Sequence, residues 1–281
     1  MSAEVLSGKI LASEIRQNVA DSAEELKANG ITPTLAVIVA TDDESTEYYV
    51  RHILSAGEKT GIKVEIVRLA SDSNYDSLAS ELNRLGSDKS VHGIILQTPL
   101  PSGLDANKLR ALIPPEKDVD GANPLSAGRL VSGVEAFAPT TAVAVMEILK
   151  RYDLPVASTH AVIIGRSMVV GKPLAQLLLA KNATVTICHS KTRNLSDITN
   201  QADILVVAIG KPHMITADYV KQGAVVIDVG TNALDNGSLV GDVDSQSIQD
   251  IAGAFSPVPG GVGPVTTALL LRQTISAATL K

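Results

Sequence analysis

Short apolar runs alternate with helix-like segments along the chain, and this alternation restricts the fold more than any other sequence feature. LAVIVA (35–40) is an uninterrupted apolar run, typical of a strand buried on both faces of a parallel sheet. One helix is predicted from Gly8 to Asn29, and another contains Tyr49 and closes at Gly61. The next predicted elements are a strand at 63–69, a helix at 75–85 and a strand at 93–101. This β-α-β-α-β order predicts a parallel sheet covered by helices.

A second series of the same kind follows a stretch rich in Asp, Pro and Gly that ends near Pro139. It opens with a predicted helix from Thr140 to Tyr152, and the chain closes with a helix-like segment from Pro264 to Leu280. The strands predicted between them are 161–165, 183–188, 202–210 and 224–231. We therefore expect an α/β protein of two domains, each with a mainly parallel sheet, the C-terminal one being Rossmann-like.

The composition argues against several classes of protein. Hydrophobic residues make up 45% of the 281 residues and charged residues 19%, as in a folded soluble chain. The net charge of -6 argues against general nucleic-acid binding. Apolar runs stay well below the ~20 residues that span a bilayer, and Cys188 is the only cysteine. We expect a cytoplasmic protein with no membrane or nucleic-acid partner, and no residue constellation indicates a metal site.

The segment AVIIGRSMVVGKPLAQLLL reads as a strand, a glycine turn and a helix. Gly165 ends the strand, Gly171 allows a close approach of the backbone, and Pro173 suits the first turn of a helix. Free N–H groups at such a helix start attract phosphate. Because the spacing is G-x5-G and not G-x-G-x-x-G, a tight turn in any α/β domain is an equal alternative for this motif alone.

The end of the following strand favours NADP over NAD. NAD-binding domains place an acidic residue about 20 residues downstream, where it binds the ribose 2′-hydroxyl. Here the segment is HSKTR (189–193), which has no acid, and its hydroxyls and cations suit a 2′-phosphate. Arg166 in the glycine turn would add a bidentate contact. The alternative is a basic surface loop with no ligand.

Five motifs, in order along the chain, resemble the methylenetetrahydrofolate dehydrogenase/methenyltetrahydrofolate cyclohydrolase family. They are QTPLP (97–101), PEKDVDG (115–121), GRSMVVGKP (165–173), HSKT (189–192) and PVPGGVGP (257–264). In the last motif prolines stiffen the loop, while Gly260, Gly261 and Gly263 allow positive φ and close contact with a planar ligand. By itself that loop would also suit a rigid connector between domains. Together the motifs extend the resemblance over nearly the whole chain.

The resemblance implies two reactions of one-carbon metabolism. A hydride passes from 5,10-methylenetetrahydrofolate to NADP+, and water then opens the 5,10-methenyl cation to 10-formyltetrahydrofolate. The resemblance also implies a homodimer, and a folate domain of residues 1–139 with the C-terminal helix 264–281. An NADP domain of residues 140–263 completes the chain, with a folate cleft between the two domains.

The same resemblance implies roles for individual residues. Asp120 would bind the pterin, since a carboxylate accepts two N–H bonds from an aminopyrimidinone edge; a turn or cap role is the alternative. Tyr49 would lie along the aminobenzoyl ring, with core packing as the alternative that we favour for Tyr48. The catalytic set is Tyr49, Gln97 and Asp120, and the folate set adds Pro259, Gly260 and Gly261 to Tyr49 and Asp120. The NADP set is Gly165, Arg166, Ser167, Gly171, Ser190 and Thr231.

One departure from the family pattern concerns the helix that carries Tyr49. The family has a lysine four residues after the tyrosine, and this position is Ile53 here. Isoleucine carries no titratable proton, whereas hydration of the methenyl cation needs water activated and protons moved. We therefore expect hydride transfer to survive and methenyl hydrolysis to be weak or absent. His52 is the less favoured substitute, and a solvated surface position is expected for it.

A second departure replaces the family's P-C-T-P-x-G with PTTAVA (139–144), which puts folate affinity in question. The leading interpretation remains an NADP-dependent methylenetetrahydrofolate dehydrogenase. One alternative is a non-catalytic paralogue that binds folate or nucleotide. Another is an enzyme of the same fold that uses NAD or a different pterin.

Overall fold

The computed structural model describes residues 2–234 and 236–280. The helices are α1 (Lys9–Ala28), α2 (Glu44–Thr60), α3 (Tyr75–Ser87), α4 (Ala106–Arg110), α5 (Pro124–Val131), α6 (Thr140–Arg151), α7 (Gly171–Leu179), α8 (Leu195–Thr199), α9 (Ser245–Ile248) and α10 (Val262–Thr279). The strands are β1 (Glu4–Val5), β2 (Thr34–Val39), β3 (Lys63–Arg68), β4 (Gly93–Leu96), β5 (His160–Ile164), β6 (Thr184–Cys188), β7 (Ile204–Val207), β8 (Val225–Asp228), β9 (Asn232–Ala233), β10 (Leu239–Val240) and β11 (Ala254–Phe255). In these ranges no helix is both long and apolar enough to cross a membrane.

The chain forms two compact units. The six-stranded unit contains the chain as far as Ala12 together with Thr141–Thr266, and the three-stranded unit contains Ser13–Thr140 and the chain from Thr267 onward. The start of the chain differs from the sequence expectation, which grouped it with the folate domain. Strand β1 pairs in parallel with β11 of the six-stranded unit. A strand of only two residues leaves no periodic pattern from which this pairing could be predicted.

The three-stranded unit is built on a parallel sheet in the order β3-β2-β4. All six residues of β2 and all four of β4 are buried, as expected for strands covered on both faces. Buried side chains of α3 and α4, such as Leu78, Leu82 and Leu109, pack with Ile38 and Ile94 in one core cluster. The carboxyl ends of β2 and β4 lie at the same edge of this sheet, because the two strands are parallel neighbours.

Helix α2 ends where its sequence predicts. Asp43 caps its start, accepting a hydrogen bond from the Thr46 N–H at 2.8 Å. Gly61 ends it with φ 73°, a left-handed conformation that glycine adopts without strain. The expected closure at Gly61 is therefore confirmed.

The six-stranded unit contains a fully parallel sheet in the order β1-β11-β8-β7-β5-β6. The chain passes from β5 to β6 at one edge and returns to β7 on the other side of β5. The strand order therefore reverses between β5 and β7, and α/β folds bind ligands outside the carboxyl ends of the strands at such a point.

Three predicted strands are shorter in the structure, and the one expected at 224–231 covers only Val225–Asp228. The strand expected at 93–101 ends at Leu96, since Pro99 and Pro101 have no N–H for a sheet ladder. The strand expected at 202–210 covers Ile204–Val207. Beyond it, the N–H groups of Ile209 and Gly210 bond to a carboxylate, that of Asp242, and not to a neighbouring strand.

Candidate active site

Tyr49 lies on α2, which starts just beyond the carboxyl end of β2. Its side chain is half-buried, and its hydroxyl interacts with Thr267 of α10. Burial raises the pKa of the phenol above its usual range, and the negative charge of Asp120 raises it further. The structure thus brings together Tyr49 and Asp120, which the resemblance assigned to one ligand. Thr267 was not predicted, since nothing in the sequence links it to Tyr49.

Asp120 is half-buried and accepts a hydrogen bond at Oδ1 from Thr140 Oγ1, at 2.9 Å. Burial raises the pKa of the carboxyl group, while the Thr140 hydrogen bond and the charge of Arg110 act in the opposite direction. Next to it, Gly121 has φ 61° and packs so closely on the backbone of Ala138 that a side chain would collide. The pattern Asp-Gly therefore fixes the turn that presents the carboxylate.

Asp118 supports that turn from inside the unit and was not singled out by the sequence analysis. Its fully buried carboxylate accepts hydrogen bonds from the N–H groups of Ala122 and Asn123, at 3.0 and 2.9 Å. Burial raises its pKa to about 6. Gln273 of α10 donates to the carbonyl oxygen of Val119, which lies between the two aspartates. The segment carrying Asp120 is thus held by hydrogen bonds on both sides.

Gln97 directly follows β4 and is half-buried. Its N–H donates to the carbonyl oxygen of Ile38 on β2 at 2.9 Å. The next residue, Thr98, accepts a hydrogen bond from Thr46 Oγ1 of α2 at 3.3 Å. Gln97 therefore lies at the same sheet edge from which the helix of Tyr49 departs.

Ile53 is fully buried on the inward face of α2, in line with the buried residues Val50 and Gly57. The residue that stands in place of the family lysine is thus an enclosed hydrocarbon. His52 is exposed, as predicted. The prediction that Tyr48 packs in the core is wrong, because its side chain is 48% exposed. Its ring lies edge-to-face on the ring of His52, with the two ring centroids 4.4 Å apart. Helical rotation explains this, because positions 48 and 52 share the solvent face of α2.

The glycine turn after β5 has no room for side chains. Gly165 has φ 129° and its Cα lies against the carbonyl oxygen of Ala208, so any Cβ would collide. Gly171 packs equally tightly on the carbonyl oxygen of Gly165. Helix α7 starts at Gly171 without a side-chain cap, and Pro173 occupies its first turn as predicted. The turn lies beside the reversal point of the sheet, between the ends of β5 and β7.

Arg166 and Ser190 occupy matching positions just beyond the ends of the neighbouring strands β5 and β6. Ile164 of β5 pairs with Cys188 of β6, and each of the two polar residues lies two positions beyond this pair. Both side chains are exposed. Ser167, also exposed, closes the turn by accepting a hydrogen bond at Oγ from the Val170 N–H at 3.1 Å. The carboxyl edge of the sheet therefore carries the guanidinium of Arg166 and the hydroxyl groups of Ser167 and Ser190, and the segment 189–193 contains no carboxylate.

Thr231, the last residue of the predicted NADP set, is exposed beyond the carboxyl end of β8. The segment before it is fixed by Asp228, a buried carboxylate that accepts hydrogen bonds from the N–H groups of Gly230, Asp242 and Val243 at 2.9, 3.1 and 2.9 Å. Burial raises the pKa of Asp228 to about 6. The carboxylate leaves no space for a Cβ on Gly241.

Asp242, whose N–H donates to Asp228, also has a structural role that the sequence analysis did not predict. Its fully buried carboxylate accepts hydrogen bonds from the N–H groups of Ile209, Gly210 and Lys211, at 2.7, 3.0 and 2.7 Å. It also accepts from Asn232 Nδ2 at 3.0 Å. Asp242 therefore ties the loop after β7 to the segment after Thr231. The Gly-Asp pair at 241–242 was the available sequence signal.

The proline-glycine loop belongs to the six-stranded unit. Gly260 has φ 102°, as the sequence predicts, and its carbonyl oxygen accepts a hydrogen bond from the Gly8 N–H at 2.9 Å. Gly261 packs closely against the carbonyl oxygen of Pro257 but does not have the positive φ that was expected. Gly263 differs from the expectation: it lies inside α10 with open space around its Cα. Pro259 is exposed at the tip of this loop.

The sequence matches two family models. Residues 6–120 match the tetrahydrofolate dehydrogenase/cyclohydrolase catalytic domain, and residues 139–281 match the tetrahydrofolate dehydrogenase/cyclohydrolase NAD(P)-binding domain. The bifunctional protein FolD 1 of Saccharopolyspora erythraea is 55% identical over 275 residues, covering 98% of this chain and 94% of the relative.

Solved structures agree with these matches. The bifunctional enzyme FolD of Campylobacter jejuni has a TM-score of 0.95 at 40% identity, with 99% of each chain covered. The FolD of Trypanosoma brucei, solved as a complex with NADP cofactor and an inhibitor, has a TM-score of 0.94 at 33% identity, covering 99% of this chain and 98% of that one. On this evidence the chain belongs to the tetrahydrofolate dehydrogenase/cyclohydrolase family.

Proposed function

We propose that the chain is an NADP-dependent 5,10-methylenetetrahydrofolate dehydrogenase. The observation that carries the proposal is the matched placement of Arg166 and Ser190 beyond the paired residues Ile164 and Cys188. They lie at the sheet edge where α/β folds bind dinucleotides, and their chemistry suits a 2′-phosphate. The family membership supplies the folate substrate for the same proposal.

The residues around the glycine turn fit a dinucleotide. Gly165 and Gly171 keep the turn free of side chains, so a pyrophosphate can approach the backbone N–H groups at the start of α7. Arg166, Ser167 and Ser190 would bind the 2′-phosphate on the adenosine ribose of NADP. Thr231 would contact the cofactor beyond β8. When bound, NADP+ supplies the hydride acceptor.

The folate site is proposed around Tyr49 and Asp120. The carboxylate of Asp120 would accept N–H bonds from the pterin and hold it in one orientation. The ring of Tyr49 would pack along the aminobenzoyl group, and Gln97 would orient a water or the one-carbon bridge. Pro259, Gly260 and Gly261 are proposed as further folate contacts. Such positioning is the main protein contribution to hydride transfer.

We propose in addition that methenyl hydrolysis is slow in this chain. Ile53 is fully buried and offers neither a donor nor an acceptor where the family has a lysine. Gln97 is a poor base, and loss of general acid–base help costs about 10²- to 10⁴-fold in rate. Hydride transfer needs no proton transfer in its chemical step, so it would be retained.

One experiment on purified protein tests these proposals together. Formation of NADPH from methylenetetrahydrofolate is followed by absorbance, with NAD+ in parallel, and hydrolysis of methenyltetrahydrofolate is followed separately. We expect NADPH formation to exceed NADH formation and hydrolysis to stay near the spontaneous rate. A protein that binds both ligands but reduces neither nucleotide would be the non-catalytic paralogue. Equal or faster reduction of NAD+ would contradict the cofactor assignment.

We also propose that the enzyme works as a homodimer in the cytoplasm. Strand β6 is an edge strand whose Ile187 is 39% exposed, and an exposed apolar edge of a sheet favours pairing with a second copy. The single thiol, Cys188, is buried and fits a reducing compartment. Light scattering of the purified protein tests the oligomeric state, and a monomeric mass would contradict this proposal.

A further inference from the structure

The side chain that touches the Asp120 carboxylate belongs to a segment in which this chain departs from its family. Thr140 opens α6 and is 1% exposed, and its Oγ1 donates to Asp120 Oδ1 at 2.9 Å. It lies in PTTAVA (139–144), with threonine where the family pattern has cysteine. The sequence change therefore reaches directly to the carboxylate proposed to bind the pterin.

A hydroxyl group at this position has a specific physical consequence. A hydroxyl is a stronger hydrogen-bond donor than a thiol, and a hydrogen bond donated to a carboxylate favours its ionised form. Burial acts against ionisation of Asp120, so the Thr140 bond offsets part of that cost. Because the bond engages Oδ1, it also restricts rotation of the carboxylate.

Within the described part of the chain, Arg110, Asp118 and Tyr49 interact electrostatically with Asp120, in contrast to the direct hydrogen bond from Thr140. Arg110 of α4 favours the ionised carboxylate through its charge, and Asp118, on the same segment, opposes it. Tyr49 of α2 lies within electrostatic range. The Thr140 hydroxyl, by contrast, donates a direct hydrogen bond that fixes the direction of the Asp120 carboxylate.

We propose that Thr140 is a positioning residue that holds the Asp120 carboxylate in the orientation and charge state that a reduced pterin requires. The proposal rests on the proposed function, since it takes Asp120 as the pterin ligand. Thr140 thereby sets the pH below which folate binding is lost. A purely structural threonine at the start of α6 would affect binding equally at every pH.

Calorimetric binding of tetrahydrofolate between pH 5.5 and pH 8.5 tests this proposal without requiring turnover. Thr140→Val removes the hydroxyl at nearly constant volume, Thr140→Ser keeps it, and Thr140→Cys restores the family residue. Thr274→Val is the matched control, because the buried Thr274 hydroxyl donates only to the helix carbonyl of Leu270 at 2.9 Å.

We expect the pH at which affinity is half lost to rise by about one unit in Thr140→Val, which is about tenfold weaker binding at the acid end. Thr140→Ser should match the unmodified protein, Thr140→Cys should lie between them, and Thr274→Val should leave the midpoint unchanged. A parallel loss of affinity at all pH values in Thr140→Val, with no shift of the midpoint, overturns the proposal.

Carbon-13 NMR of aspartate-labelled protein gives a second readout that does not depend on folate. The Asp120 carboxyl signal, identified by its loss in Asp120→Asn, should titrate at higher pH in Thr140→Val than in the unmodified protein. Identical titration in the two proteins overturns the role of Thr140. Undetectable folate binding by the unmodified protein would instead count against the proposed function, so the two failures are distinguishable.

Discussion

Tyr49 and Ile53 lie one turn apart on α2 but in different surroundings. Tyr49 is half-buried and interacts with Thr267, whereas Ile53 is fully enclosed. A lysine at position 53 would project its stem into an apolar environment, where burial lowers the pKa of the amine. A lowered pKa is what a general base for water needs near neutral pH.

Ile53→Lys should therefore raise the rate of methenyl hydrolysis by about 10²-fold or more and change hydride transfer by less than about threefold. The variant should also unfold at a lower temperature, because a buried amine replaces a packed hydrocarbon. Ile53→Met, which lengthens the side chain without an amine, is the control and should gain no hydrolysis. Hydrolysis by the unmodified protein well above the spontaneous rate would show that another group replaces the lysine.

Tyr49→Phe and Tyr48→Phe form a matched pair on one helix. Loss of the Tyr49 hydroxyl removes its interaction with Thr267 and should lower kcat/KM for methylenetetrahydrofolate by about 2- to 10-fold. Tyr48 is 48% exposed, so its change should stay within about twofold. Steady-state kinetics at saturating NADP+ measure both. Equal effects of the two substitutions would remove Tyr49 from the folate site.

Arg166→Ala tests the choice of cofactor. Removal of the guanidinium should raise KM for NADP+ by about 10- to 100-fold, the range for hydrogen bonds to charged groups, and leave the reaction with NAD+ nearly unchanged. Lys181→Ala is the control, since this exposed lysine lies beyond the opposite end of α7. If KM rises by the same factor for both nucleotides, Arg166 does not bind the 2′-phosphate.

Asp242→Asn should destabilise the protein by about 2–3 kcal/mol, because the amide nitrogen cannot accept the backbone N–H bonds that end on this carboxylate. KM for NADP+ should rise along with it, since the loop after β7 is released. Asp244→Asn is the control: Asp244 caps α9, and asparagine caps nearly as well. Thermal unfolding and NADP+ kinetics measure the two effects, and equal melting temperatures of the two variants would contradict the prediction.

The raised pKa of the buried Asp228 carboxyl group predicts that the stability of the protein depends on pH. Burial raises its pKa from 3.8 to about 6, so between these values the folded chain holds a proton that the unfolded chain has lost. The contribution of Asp228 to the unfolding free energy should therefore fall as pH rises through this window, by roughly 3 kcal/mol.

Asp228→Asn lacks this titration, so its destabilisation relative to the unmodified protein should be largest near pH 4 and smallest above pH 7. Burial lowers the pKa of His92, which has the opposite pH effect, but this histidine is present in both proteins and cancels in the comparison. Thermal unfolding at several pH values supplies the data. A difference that does not vary with pH would show that Asp228 titrates normally.

The sequence by itself determined the architecture, because local chemistry decides it. The apolar run of β2 and the helix end at Gly61 act over a few residues, and both predictions are confirmed. Glycine at 165 and 171 was also predictable, since only glycine tolerates the contacts made there. Family motifs placed Tyr49 and Asp120 in one site by resemblance.

Only the tertiary structure decided which side chains meet. Thr140 and Asp120 are 20 residues apart in the sequence, and Asp242 and Ile209 are 33 residues apart. No helical or strand periodicity therefore connects either hydrogen-bonded pair. The same holds for the two-residue strand β1, whose partner β11 is remote in sequence. Such contacts depend on how helices and strands pack, and local sequence propensities carry no information about partners at this distance.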